Sequence, residues 1–108
     1  MSSSHDYLKD KRNNNIKIFI NGEFYIRKDA KISVFDSSVL LGDGVWDGLR
    51  FHNNKFLFLN EHINRLYKDA KKIGLKIHLT KKELTKLLYK VIKINKMKTD
   101  VHIRVIIS

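Results

Sequence analysis

The residues most able to do chemistry in this sequence are two arginines set among apolar neighbours, a glycine-rich segment and a few scattered histidines. Arg65 lies in a stretch where Ile63, Leu66 and Ala70 are at helical spacing, and its helix face reads as otherwise apolar. An arginine there needs an anionic partner. Its guanidinium is planar, always charged, and forked to clamp a phosphate or a carboxylate. The plainer alternative is a solvated helix arginine. Arg104 interrupts the apolar run from Val101 to Ile107. It is either an outward-facing residue of a half-exposed strand or a second anion clamp. Spacing alone favours the plainer alternative at both positions.

Other chemistries find little support. The segment from Leu41 to Arg50 holds three glycines in seven residues, which suggests backbone in close approach to another group. It is not a phosphate loop, since no Lys-Ser/Thr pair follows and no acid-marked βαβ unit surrounds it. Trp46, within it, is by default a core residue. His62 and Arg65 share a helix face, but no second His stands at i+4, so no metal site is expected. Ser37 and Ser38 lie near Asp36 without a nucleophile elbow, which speaks against a hydrolase. Cysteine is absent, so disulfides and thiolate metal sites are excluded.

These residues need elements to position them. Residues 1–15 are polar and expected to be flexible. Ile16–Ile20 alternates as a strand, Asn21-Gly22 is a hairpin turn, and Phe24–Arg27 is the return strand. Lys31–Phe35 reads as a further short strand. A second hairpin sets Arg50-Phe51 and Lys55–Leu59 around His52-Asn53-Asn54. Asn60 is the expected N-cap of a helix over 61–73, with Ile63, Leu66, Ala70 and Ile73 on one face and Gly74 as its stop. Thr80 and Glu83 form a capping box for a second helix, with Leu84, Leu87, Leu88 and Val91 on one face, ending near Asn95. Val101–Ile107 is a strong strand. The chain stops inside it, which suggests a cut through a larger domain. The expected class is α+β, a small antiparallel sheet with two helices on one side.

The composition has two readings. The 108 residues carry 22 Lys+Arg against 11 Asp+Glu, a formal charge of +11. That charge invites a basic nucleic-acid-binding module. Yet residues 68–98 hold eleven Lys against only Asp69 and Glu83, and this stretch reads as helices. A solvated helix face explains it better, and no aromatics interleave the lysines as a single-strand groove requires. Nucleic acid is therefore an unfavoured partner. No apolar run approaches the ~18 residues of a membrane span, and the N-terminus lacks an apolar signal core. A cytoplasmic location is the default expectation.

Four motifs recur in a familiar order. They are Asn21-Gly22-Glu23, Lys31-Ile32-Ser33-Val34-Phe35-Asp36, the stretch from Gly42 to Arg50, and Glu61-His62-Ile63-Asn64-Arg65-Leu66. Together they resemble the N-terminal domain of the class IV pyridoxal-phosphate aminotransferases, fold type IV. That family includes branched-chain and D-amino acid aminotransferases and 4-amino-4-deoxychorismate lyases. The resemblance covers residues 16–107. It implies that Arg65 holds the phosphate of pyridoxal 5'-phosphate. It implies that Trp46 and Gly48 line the substrate side-chain pocket, with Gly48 leaving room for substrate. It implies that Arg104 lies near the substrate carboxylate, with His102 where the branched-chain subgroup often has Tyr. Two departures bear on substrate preference: Trp46-Asp47 replaces the commoner Phe-Glu, and Leu41 stands where several branched-chain members carry Tyr.

The resemblance further implies an amino acid and an α-keto acid as substrates, a homodimer for the full-length enzyme, and a Schiff-base lysine in a C-terminal domain. These 108 residues do not include that domain. Residues 16–108 are accordingly expected to be an N-terminal small domain, inactive alone. Branched-chain or broad-specificity L-amino acids are the first expectation, D-amino acids the second and the lyase the third.

Overall fold

The computed structural model describes residues 9–108, and the chain divides into two compact units, residues 1–31 and 32–108. The expected flexible N-terminus lies partly outside the described residues, at positions 1–8. Within the first unit, residues 11–13 form a 3-10 turn. Asp10 caps it by accepting the Arg12 N–H at 2.9 Å. Strands β1 (Lys17–Ile20) and β2 (Glu23–Ile26) then pair antiparallel, with Phe19 opposite Phe24. Asn21 and Gly22 turn the hairpin at positive φ, as the sequence predicts. The Phe19 and Phe24 rings meet edge to face at 5.2 Å.

The second unit opens with a departure. Lys31–Phe35 forms no strand. Ser33 takes its place in a local turn instead, its Oγ accepting the Phe35 N–H and its carbonyl accepting the Asp36 N–H. These bonds consume the backbone groups that a ladder would need. Asp36 then caps a short helix, α1 (Ser37–Leu40), which the sequence did not suggest.

Strand β3 (Val45–His52) absorbs most of the glycine-rich segment. It is the middle of a three-stranded antiparallel sheet ordered β4-β3-β5, with β4 at Lys55–Phe56 and β5 at Val101–Ile107. Asn53 and Asn54 make the tight turn at positive φ. Strand β4 is shorter than expected because Phe58 adopts φ 54° and swings the chain into a helix. Helix α2 (Leu59–Lys72) therefore has Phe58 as N-cap, without a side-chain cap bond, and Asn60 falls inside the first turn instead of capping it. Its far end follows expectation. Gly74 takes φ 72°, and the Leu75 N–H reaches back to the Ala70 carbonyl at 2.9 Å. Ile73, expected on the apolar face, is the C-cap and stays exposed. Helix α3 (Lys81–Ile94) begins with the complete Thr80/Glu83 capping box.

Strand periodicity sorts the second unit into two faces. Leu49 and Phe51 of β3 and Phe56 of β4 point inward, against Ile63 and Leu66 of α2 and Leu84, Leu88 and Ile92 of α3. Both helices thus cover one side of the sheet, giving the expected α+β arrangement. The other side carries Trp46, Gly48, Arg50, His102 and Arg104. The eleven lysines between 68 and 98 are all exposed.

Leu66 is only 1% exposed, so Leu66→Ala should cost about 2–5 kcal/mol of unfolding free energy in urea titrations. Ile73→Ala, on the exposed cap, should change it by less than about 0.5 kcal/mol.

Candidate functional site

Asp47 is in step with Leu49 and Phe51, so it points to the buried side of β3. It is 4% exposed, and it alone is buried among the polar and charged residues described. A carboxylate in that position must be paired and hydrogen-bonded. Helix α2 supplies both partners, three residues apart. Arg65 approaches side-on, Nε donating to Oδ2 and Nη2 to Oδ1, each at 2.8 Å. His62 Nδ1 lies 2.7 Å from Oδ1. An ionised carboxylate only accepts, so a proton on Nδ1 suits this contact, and the same Nδ1 also lies 3.0 Å from Arg65 Nη2.

The electrostatics follow from this pairing. The Arg65 hydrogen bonds hold the Asp47 carboxyl below the usual carboxylate range, partly offset by burial and helped by His62. Asp47 in turn raises the pKa of Arg65, with a smaller contribution from Asp69. The anionic partner that the Arg65 helix face required is therefore Asp47. In the sequence motif, Asp47 stands out as the replacement for the commoner Glu. The available signal was its strand parity, an acid in register with two core residues.

Arg65 remains accessible, with its side chain 60% exposed. Its Nη1 finds no acceptor among the described residues. Trp46, Asp47, Gly48, Arg65 and His102 line an open cleft of about 490 Å³. Strand β4 pairs with β3 only at Phe51 and His52, so among the described residues, positions 45–49 of β3 have no strand neighbour on that side. The cleft draws on both faces of β3 there. Four of the five singled-out side chains thus come together. The fifth, Arg104, lies beside them, its guanidinium carbon 4.6 Å from the centre of the Trp46 ring.

Trp46 is 59% exposed, which corrects its default reading as core. Residue 46 has the outward parity of β3, and its ring lies under Arg104, a favourable cation–π pairing. Gly48 sits opposite Arg104 in the sheet. A Cβ on Gly48 would come within 2.7 Å of the His102 ring, so the close approach expected of this glycine is to His102. The space above Gly48 is filled by that ring. Arg50 points away from the cleft's lining and pairs with Asp100 at 3.0 Å, both side chains exposed. Ser38 has a local task, its hydroxyl donating to Asp36 at 2.6 Å. Among the described residues no group of three His, Asp or Glu is placed to hold a metal ion, and no helix is long and apolar enough to cross a membrane.

The second unit is thus a two-sided α+β unit whose helix α2 brings an exposed arginine, braced by a buried carboxylate, to a cleft at the sheet. Its relatives specify the class. The family model for amino-transferase class IV matches residues 44–108, and the chain belongs to that family. It is 41% identical over 93 residues to a protein of Methanocaldococcus jannaschii named as a branched-chain-amino-acid aminotransferase, covering 86% of this chain and 32% of the relative. It is 40% identical to a D-alanine aminotransferase of Listeria monocytogenes, covering 78% of this chain and 29% of the relative. Among solved structures, the branched-chain aminotransferase of Thermoproteus uzoniensis with norvaline superposes with a TM-score of 0.77 at 31% identity, covering 85% of this chain and 32% of that one. A T.th. branched-chain amino acid aminotransferase complexed with N-(5'-phosphopyridoxyl)-L-glutamate matches with the same TM-score at 27% identity and the same two coverages. The chain spans about a third of the length of the curated relatives it matches. Pyridoxal phosphate is the cofactor that membership of this family implies.

Two outcomes follow from this geometry. The folded Asp47 pKa lies below its unfolded value of about 3.9. Its stabilisation is therefore complete above that value and is lost as pH falls through the folded one. In acid unfolding followed by circular dichroism from about pH 5 to 1, Asp47→Asn should start less stable and lose stability less steeply. The remaining slope belongs to carboxyls such as Asp36 and Glu83, also held low by hydrogen bonds. Gly48→Ala should displace the His102 ring, seen as a changed His102 imidazole NMR signal. Its cost in stability should be under about 1 kcal/mol, because a side-chain tip can move aside.

Proposed function

We propose that residues 16–108 form the N-terminal small domain of a pyridoxal-phosphate-dependent aminotransferase. The reaction is reversible transfer of an amino group between an amino acid and an α-keto acid, with branched-chain or broad-specificity L-amino acids as donors. The observation that carries this reading is the exposed Arg65, braced by Asp47, in one cleft with Trp46, Gly48 and His102.

The residues present fit a phosphorylated cofactor. Arg65 offers unengaged N–H donors at Nη1, and a guanidinium matches a phosphate bidentately. The bound cofactor supplies an electron sink for the bonds at the amino acid's α-carbon. Arg65 holds and orients its phosphate. Trp46 provides a flat apolar wall for the substrate side chain, and His102 over Gly48 limits the room beside it. Arg104 meets the substrate carboxylate. The Trp46 ring covers a face of its guanidinium, which leaves the N–H edges for a planar anion.

The covalent attachment requires a lysine that works as an amine near neutral pH, which demands desolvation. Every lysine of this chain is exposed. The 108 residues alone should therefore give no transamination, and measurable turnover by them would overturn this part of the reading. Exposed apolar side chains at Val34, Phe35 and Leu41 support a covered surface in a full-length homodimer. A cytoplasmic location accompanies that reading.

D-amino acid transamination is the second reading, favoured by the D-alanine aminotransferase similarity over 78% of the chain. The discriminating assay uses the full-length protein with 2-oxoglutarate as acceptor. Faster turnover of L-leucine than of D-alanine supports the first reading, and the reverse selects the second. A hydrogen bond to a charged group is worth about 1.5–3 kcal/mol. Arg104→Leu should accordingly raise the KM for the amino donor about ten- to hundred-fold, with a smaller change in kcat.

A further inference from the structure

The function proposed above uses Arg65 and leaves the residue beneath it unassigned. Asp47 is the one buried charge described, and both of its oxygens are engaged. The side-on pairing occupies a particular edge of the Arg65 guanidinium, the edge formed by Nε and Nη2. The opposite end, with both N–H groups of Nη1, has no acceptor among the described residues, and Arg65 borders the cleft. Arg65 is a long side chain, 60% exposed, and without a brace its fork would sample many rotamers. Asp47 removes that freedom from one side while leaving the other side open.

We infer that Asp47 is the positioning residue for anion capture: it fixes the Nε–Nη2 edge of Arg65 so that the Nη1 end is presented to the cofactor phosphate. This rests on the reading of Arg65 as the phosphate-binding residue. Charge alone would argue against placing an acid here, because Asp47 cancels the positive charge of Arg65 at close range. The arrangement therefore favours direction over net attraction. A held fork loses less entropy on binding than a free one, which is how a neutralising partner can still strengthen capture. His62 completes the brace. Its Nδ1 meets the same oxygen as Arg65 Nη2, so the carboxylate is held from two positions on α2 and cannot rotate away with Arg65.

The test is a pair of spectroscopic titrations on the full-length protein, one with pyridoxal 5'-phosphate and one with pyridoxal, which lacks the phosphate. The readout is the ratio of the two dissociation constants. Asp47→Asn turns an acceptor oxygen into a donor facing other donors, so the side-on pairing fails. It should weaken binding of the phosphorylated form about ten-fold or more and leave pyridoxal within about two-fold. Equal weakening of both ligands would indicate a structural role only and would overturn the inference. Arg65→Met separates the two layers of the reading. If it leaves the preference for the phosphorylated form intact, Arg65 is not the phosphate residue and the inference falls with it. If it abolishes the preference while Asp47→Asn retains it, Arg65 keeps its role and only the inference falls. Should Asp47→Asn not fold, the wild-type protein provides a second readout. The Arg65 Nε–H signal in nitrogen-edited NMR should exchange slowly and persist when pyridoxal 5'-phosphate is added. Its disappearance on cofactor addition would mean that Arg65 releases Asp47 to take the phosphate, and the positioning role would be wrong.

Discussion

A carboxylate buried at the end of a strand sets the terms for the second unit. Asp47 occupies a position that periodicity reserves for the core, and a bare charge there is untenable. Its pairing with Arg65 and His62 therefore ties α2 to β3 at a fixed register. The same contact puts an arginine at the mouth of a cleft. One bond network joins the helix to the strand and holds the Arg65 side chain, so the register of α2 and the placement of Arg65 share their geometry.

The two faces of the sheet divide the remaining work. Inward residues Leu49, Phe51 and Phe56 pack against the helices and carry the apolar burial. Outward residues make diagonal contacts along the sheet, Arg104 onto Trp46 and His102 onto Gly48. Side chains leaning along the strand direction account for both, since each comes from β5 and leans toward the start of β3. Glycine at 48 is what allows the second of these contacts. Any larger residue there would compete with the imidazole for the same space.

The positive charge of the chain resolves into unlike populations. The lysines of α2, α3 and the segments beside them are all exposed, and such side chains keep a helix surface solvated. Arg50 is used locally, pairing with Asp100 at 3.0 Å beside the hairpin turn. Arg65 and Arg104 stand at or beside the cleft, Arg65 held by a buried carboxylate and Arg104 set against an indole. A large net charge says little about partners until individual cations are sorted by what holds them.

Local chemistry made much of this fold legible. The hairpin at Asn21-Gly22, the capping box at Thr80, the glycine stop at Gly74 and the strand Val101–Ile107 all depend on neighbours in sequence, and each is found where the residues indicate. The misplaced features depend on more distant partners or on a single dihedral. Lys31–Phe35 has strand-like residues but no strand beside it, and Phe58 starts α2 through a positive φ that its side chain does not announce. The candidate site divides in the same way. The sequence by itself determined that Arg65, Trp46, Gly48, His102 and Arg104 were worth attention, because motif order and residue type are local facts. Only the tertiary structure decided that Asp47 is the anion under Arg65, that His102 fills the space over Gly48 and that Trp46 lies exposed beneath Arg104. Those are contacts between a strand and elements 15 or more residues away, and no local propensity encodes which of two possible partners a buried charge will meet.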